Sequence, residues 1–166
     1  MKKVKNRKVV VMLAIVVLLA VVYLIYSRPM TIQQRYSMLT LEKCVELRGY
    51  YRVGQEQELT EVSFDKSNEE FSVLFDLLCE REYHRSLRDL VSRGTRVHVT
   101  EPEDFQWEVL FFFEDIALPD GTIGSGMILQ IQNWYGELGI SFGGESTEYY
   151  TDAQDEWAKE ILAVIQ

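Results

Sequence analysis

Carboxylates are the most numerous groups in this sequence that could do chemistry, and they cluster at Glu69-Glu70, at residues 101–104 and at Glu114-Asp115. Glycoside hydrolysis needs two carboxyl groups that face each other across a cleft, one of them with a raised pKa. Carboxylates that are neighbours in sequence do not provide this geometry, and capping or solvation at helix starts and turns accounts for them. The sequence therefore predicts no glycosidase pair. A loose calcium contact at the 101–104 turn stays open.

Other catalytic and metal-binding patterns are also missing from the sequence. His84 and His98 lie 14 residues apart, without Cys or carboxylate partners at metal-ligand spacing. Ser125 lies between two glycines but lacks the G-x-S-x-G spacing of a nucleophile elbow. Gly143-Gly144 is not followed by the Lys-Ser or Lys-Thr of a phosphate loop. We therefore predict no catalytic residue, no metal ligand and no cofactor, and expect the chain not to be an enzyme.

A stretch of arginines is the strongest candidate for a binding surface. The guanidinium group binds carboxylates and phosphates through paired donors, so the stretch could contact an anionic wall polymer or an envelope protein. Pairing with the carboxylates of the same chain is the alternative. The arginines of this predicted anionic-partner patch are Arg81, Arg85, Arg88, Arg93 and Arg96.

The charge of the chain is divided sharply between its two parts. Beyond residue 28 there are 26 acidic residues against 11 Lys or Arg, a formal charge of −15, whereas the first 28 residues carry +6. Nucleic-acid binding requires a basic surface, so this composition excludes it. The same charge predicts repulsion from anionic lipid surfaces and favours solubility.

Two cysteines, Cys44 and Cys79, have two interpretations. Outside the cytoplasm they could form a disulfide, which would stabilise the fold by about 4 kcal/mol in the chain-entropy model. Alternatively, they are two separate thiols that act as small apolar groups. The spacing alone does not distinguish these interpretations.

A long apolar segment determines where these groups are displayed. Residues 9–26 contain no charge, Gly or Pro, and as a helix they would cover about 27 Å, close to the hydrocarbon thickness of a bilayer. Five Lys or Arg precede the segment and Arg28 alone follows it. This asymmetry predicts a basic cytoplasmic tail (1–8), a single-pass anchor in the lipid bilayer (9–26) and an extracytoplasmic remainder. A cleaved secretory signal is the rival interpretation, but the segment is too long and lacks a small-x-small cleavage site.

The rest of the chain predicts one α+β domain. Residues 27–40 are expected to form a stalk, with Pro29 ending the membrane helix. Alternation predicts strands over 43–53 and 59–64, although a helix over 41–48 is an alternative for the first. A capping box at Ser67 and Glu70 predicts an amphipathic helix over 68–83.

Further strands and a second helix complete this expectation. Strands are predicted at 96–100, at 107–113 (covered on both faces), at 127–132 and at 138–142, and Asp152 could cap a closing helix. Short turns favour antiparallel pairing. We therefore expect residues 41–166 to form a two-layer domain, with a mostly antiparallel sheet and two amphipathic helices on one face.

Several segments together resemble a group of bacterial proteins. They are the basic start at residues 2–8, the apolar span, the Ser27-Arg28-Pro29-Met30 exit, and residues 71–78 followed by Tyr83 and the Arg85-Ser86-Leu87-Arg88 stretch. In this plan the chain resembles the small single-anchor extracytoplasmic proteins of unknown function from Gram-positive bacteria of the Clostridia type. The resemblance implies a location at the membrane and carries no activity, cofactor or catalytic residue.

The sequence thus favours a membrane-anchored extracytoplasmic protein that binds or regulates a partner in the cell envelope. An envelope enzyme acting on wall polymers and a structural subunit of a membrane complex are the alternatives.

Overall fold

The computed structural model describes residues 2–54, 58–85, 105–118, 121–134, 137–151 and 154–166. The strand predicted at 96–100 lies outside these ranges, as do the 101–104 turn, His98, Asp152, Arg88, Arg93 and Arg96.

Helix α1 (Lys2–Tyr26) contains the apolar segment. Its residues 8–26 have a mean hydropathy of 3.1, and none of them is buried against the rest of the chain. By length and composition this N-terminal helix could cross a membrane, although a signal sequence has the same properties. After Tyr26 the backbone leaves the helix, and both the amide and the hydroxyl of Ser27 donate to the Tyr23 carbonyl.

The segment expected to be a stalk packs against the domain instead. Met30 pairs with Tyr83 in an antiparallel bridge, with N–O distances of 3.1 and 3.0 Å. Helix α2 (Ile32–Arg35) follows, and Ile32 and Leu39 are buried in the core. The reason is the apolar character of these two side chains, which a free tether would leave in water. The described domain therefore begins near Met30, only a few residues after α1.

The structure describes nine strands, and a 3₁₀ turn (Leu41–Lys43) precedes the first of them. Within the described residues, seven of them form one sheet in the order β2-β1-β4-β7-β8-β9-β3, with every neighbouring pair antiparallel. The other two, β5 and β6, pair as a small separate hairpin. The prediction of an α+β chain with a mostly antiparallel sheet is confirmed. The strands are β1 (Cys44–Val53), β2 (Thr60–Asp65), β3 (His84–Arg85), β4 (Phe105–Phe113), β5 (Ile116–Ala117), β6 (Ile123–Gly124), β7 (Met127–Trp134), β8 (Glu137–Phe142) and β9 (Glu145–Tyr150).

Strand β4 shows how the sheet divides into a buried face and a half-buried face. Trp107, Val109, Phe111 and Phe113 alternate along β4 and are fully buried. The intervening residues from 108 to 112 are only half-buried. Most of their neighbours across the strand pairs are polar, for example Arg48 of β1, although Phe112 faces Ile128 of β7. The expectation that residues 107–113 are covered equally on both faces therefore does not hold in the structure.

Helix α3 (Glu69–Cys79) buries its apolar stripe but differs from the expected helix at both ends. The capping box does not form, because the Ser67 hydroxyl donates to the Asp65 carboxylate and Asn68 occupies the N-cap. The helix ends before Tyr83, which pairs with Met30 and donates its hydroxyl to the Leu78 carbonyl. That hydrogen bond satisfies one of the free carbonyls in the last turn of the helix. The buried residues are Phe71, Leu74, Phe75, Leu78 and Cys79.

Helix α4 (Gln154–Ile165) closes the described chain. Trp157, Ile161 and Ile165 recur at helical spacing and are buried. The Trp157 ring packs edge-on against Trp107 of β4, with ring centroids 5.3 Å apart. Its indole N–H donates to the Leu77 carbonyl at 3.1 Å, which links α4 to α3.

Candidate functional site

The two described arginines of the predicted anionic-partner patch lie in different surroundings. Arg81 lies over the Trp157 ring, with its guanidinium carbon 5.1 Å from the centroid, and donates to the Thr151 hydroxyl at 2.9 Å. Arg85 instead lies over the ring of Tyr26, at 5.4 Å. In the described part of the chain, Arg81 and Arg85 therefore contact different side chains, and the predicted patch stays a prediction.

Arg85 belongs to a different group of arginines, in a cleft at the carboxyl end of α1. Arg28 and Arg35 lie around the same space, and Met30, Ile32 and Ile140 contribute apolar side chains. We call this feature the arginine cleft. Its complete lining is Arg28, Met30, Thr31, Ile32, Arg35, Tyr36, Tyr83, Arg85, Ile140 and Tyr149.

Three local features of the chain bring these arginines together. The bridge between Met30 and Tyr83 places the segment after α1 beside strand β3. In α2, the side chains of Thr31 and Gln34 cap each other's backbone, which fixes the helix that carries Arg35. The pairing of β3 with β9 then sets Arg85 opposite Tyr149, since these residues are direct partners in the register.

Two of the arginines lie beside one neutral hydroxyl. The Arg35 guanidinium donates to the Tyr149 hydroxyl, and Arg85 is the direct partner of Tyr149 across the β3–β9 pair. Burial raises the pKa of Tyr149 above its usual value, although both guanidinium groups act in the opposite direction. The phenol is therefore uncharged at neutral pH and does not compensate the two positive charges beside it.

No carboxylate lines the arginine cleft within the described residues. In the same part of the chain, Arg48 forms a salt bridge with Glu46, with 2.6 Å between Nε and Oε1. None of the three arginines of the cleft forms a salt bridge with a described residue. The cleft thus holds three formal positive charges, and none of the residues that the structure describes supplies a counterion to them. This is unusual for a chain whose residues beyond 28 carry −15.

The cleft is shallow. Its cavity volume is only about 10 Å³, which is less than a water molecule occupies in the liquid. A ligand would therefore contact the guanidinium groups at the mouth of the cleft rather than enter the protein. Arginine is suited to such contacts because its planar donors bind two oxygens of one anion.

The other residues considered from the sequence form no site in the described structure. His84 stacks on Tyr150, with ring centroids 4.9 Å apart, as its partner across the β3–β9 pair. Gly143 and Gly144, with φ of 61° and 85°, make the tight turn between β8 and β9. Among the described residues, no three His, Cys, Asp or Glu side chains lie close enough together to hold a metal ion.

Cys44 and Cys79 are both buried and carry free thiols in the structure. The Cys44 thiol donates to the Glu46 carbonyl at a sulfur–oxygen distance of 3.7 Å. Burial raises the pKa of Cys44 to about 12, and burial followed by the proximity of Cys44 raises that of Cys79. Neither thiol is therefore a nucleophile at neutral pH. A disulfide between them under oxidising conditions stays a prediction.

The sequence analysis did not identify Arg28 and Arg35 as site residues, although a signal for α2 was present. Thr31 and Gln34 match the S/T-x-x-E/Q spacing of a capping box, which marks the start of a helix. That signal would have placed structure within residues 27–40. It would not have shown that Arg85 lies beside Arg35, because they are 50 residues apart in sequence.

Comparisons with models of protein families, with curated proteins and with solved structures give no match for this chain.

Proposed function

We propose that this chain is a single-pass membrane protein whose acidic domain lies outside the cytoplasm and binds an anionic component of the cell envelope through the arginine cleft. The observation that carries the proposal is the convergence of Arg28, Arg35 and Arg85 at the end of the apolar helix, with no counterion from the described part of the chain. The cleft takes the place of the arginine stretch 81–96 as the proposed contact, because Arg81 is engaged with Trp157 and Thr151.

The composition of α1 supports the membrane location. Residues 9–25 are exposed on every side of the helix, whereas Tyr26 at its end contacts Arg85. A helix that is apolar all round requires an apolar environment, which a bilayer provides. The basic residues before it favour a cytoplasmic amino terminus.

We also infer the two-layer arrangement of the domain from the contacts of its two longer helices. Phe75 of α3 lies edge-on to Phe111 with ring centroids 5.9 Å apart, and Trp157 of α4 lies edge-on to Trp107. Residues 107 and 111 are separated by an even number of positions, so they point to the same side of β4. Both helices would then cover one face of the sheet.

Protease treatment of intact spheroplasts tests the location. We expect digestion of the domain without lysis, and the mass of the untreated protein should include residues 1–26. A domain that resists protease until the cells are lysed, or a mature chain beginning after Ser27, would refute the anchored topology.

Photo-crosslinking in living cells tests the role of the arginine cleft. A photoreactive residue at Met30, on the lining of the cleft, should give anionic adducts that disappear when Arg35 and Arg85 are replaced by Gln. The same residue at the exposed Ser72 of α3 is the matched control position. Adducts at Met30 that are unchanged by the Gln substitutions would contradict a binding role for the cleft.

A further inference from the structure

We infer that the arginine cleft binds the phosphate group of an anionic phospholipid in the outer leaflet of the membrane that α1 crosses. This inference rests on the proposed function, since it requires the anchored topology. It adds the chemical class of the ligand and the side of the membrane from which the ligand comes.

The position of the cleft relative to α1 is the first argument. Arg28 follows Tyr26 by two residues, so it lies at most about 7 Å from the end of the apolar helix. Arg85 contacts the Tyr26 ring itself. The headgroup layer extends roughly 5–8 Å beyond the hydrocarbon on each side of a bilayer, and tyrosine rings are common at that depth. The cleft therefore lies at the level of lipid phosphates.

The charges of the cleft are the second argument. Arg35 donates to the neutral Tyr149 hydroxyl, and Arg85 and Arg28 add two further positive charges around the same space. A phosphodiester has one negative charge and two free oxygens, which the planar guanidinium can bind as a pair. Its negative charge would compensate part of the positive charge of the three arginines, and the hydrogen bond from Arg35 to Tyr149 would stay in place.

The acidic charge of the rest of the domain favours a lipid over a wall polymer. A long polyanion lying along the protein would be repelled, because the residues beyond 28 carry a formal charge of −15. A single headgroup in the plane of the membrane would meet only the mouth of the cleft. The narrow interior, about 10 Å³, also suits a phosphate bound at the rim.

The same contact would orient the domain. An acidic domain is repelled by an anionic membrane surface as a whole, so its most stable orientation places the least acidic part towards the lipid. In the described residues the arginine cleft, beside β3 and β9, is such a part. Binding of a headgroup there would hold this edge of the sheet against the membrane and the acidic surface away from it.

The test uses the full-length protein in nanodiscs made from an equimolar mixture of phosphatidylglycerol and phosphatidylcholine, with retained lipids counted by native mass spectrometry. We expect wild-type protein to retain phosphatidylglycerol in preference to phosphatidylcholine. Each Arg→Gln substitution at Arg28, Arg35 or Arg85 should weaken this retention by about tenfold, the usual value of a charged hydrogen bond. Arg48→Gln removes the same charge from a half-buried position outside the cleft and should not change the retention of phosphatidylglycerol.

Two further variants separate lipid binding from folding. Arg85→Lys keeps the charge but loses the planar pair of donors, so it should retain part of the preference. Tyr149→Phe removes the hydroxyl that accepts from Arg35 and leaves all three cations, and we expect undiminished retention of phosphatidylglycerol. A folded Arg28→Gln/Arg35→Gln/Arg85→Gln variant, verified by an unchanged urea midpoint, that retains phosphatidylglycerol like the wild type would overturn the inference.

The sources of phosphate are distinguished in a second arm. Inorganic phosphate and soluble poly(glycerol phosphate) are added to nanodiscs of phosphatidylcholine alone. Binding of either one as tight as that of phosphatidylglycerol would overturn the assignment to a lipid while leaving the proposed binding function intact. Failure of the anchored topology would instead appear in the protease experiment on spheroplasts, so the two failures are distinguishable.

Discussion

Trp157 offers a direct test of how α4 packs on the rest of the domain. Its side chain is 1% exposed, and its ring lies edge-on to both Trp107 and Tyr83, with centroid distances of 5.3 and 5.9 Å. Its N–H donates to the Leu77 carbonyl of α3. One side chain thus joins α4 to a strand, to α3 and to the segment that follows α3.

The magnitude of the effect follows from these contacts. Trp157→Ala removes the ring and leaves a cavity, which typically costs about 3–5 kcal/mol of the free energy of unfolding. Trp157→Phe retains an aromatic ring against Trp107 but leaves the Leu77 carbonyl without its donor. We expect it to cost about 1–3 kcal/mol, the penalty of an unsatisfied buried polar group. The alanine variant should therefore be clearly the less stable of the two.

Urea unfolding of the full-length protein in an uncharged detergent, followed by far-ultraviolet circular dichroism, measures these differences. Lys159→Ala, at an exposed position of the same helix, is the control and should change stability by less than about 0.5 kcal/mol. If Trp157→Ala unfolds at the same urea concentration as Lys159→Ala, α4 does not pack as described. The two-layer arrangement would then lose its main support.

Two further predictions concern the buried interior. Burial raises the pKa of Cys44 to about 12 and also raises that of Cys79 well above its usual value. A thiol reagent at pH about 8 should therefore label neither cysteine until urea unfolds the domain. Rapid labelling of the native protein would contradict their burial. Gly49→Ala should lower the free energy of unfolding by about 1–3 kcal/mol, since its Cβ would lie 2.9 Å from Cγ2 of Val62 on the neighbouring strand. An added Val62→Ala removes that Cγ2 and should recover part of the lost free energy. Urea midpoints of the single and double variants measure this effect, and no recovery in the double variant would show that the steric argument is wrong.

Periodic elements were well predicted from the sequence because their patterns are local. Alternation located β1 over Cys44–Val53, against the alternative helix at 41–48, and helical spacing located the buried stripe of α3. The ends of elements were less accurate. Ser67 bonds to Asp65 rather than capping α3, and Tyr83 leaves the helix to pair with Met30. Such ends depend on competing partners that a local pattern does not contain.

The candidate site could not be predicted in the same way. The sequence places Arg28 and Arg35 in a predicted polar stalk, and it places Arg85 in the predicted stretch of arginines from 81 to 96. The bridge at Met30, the capped helix α2 and the pairing of β3 with β9 bring them together. These contacts join residues that are far apart in the chain, and no pattern of neighbouring residues specifies them.

By itself, the sequence determined the features that depend on composition and short periods. The apolar helix, the acidic charge of the remainder and the antiparallel strands all follow from residue types at nearby positions. The tertiary structure alone decided that residues 27–40 join the core through Ile32 and Leu39, and that three arginines surround one cleft. The physical reason is that burial and charge compensation are properties of the surroundings of a side chain, which exist only once distant segments pack together.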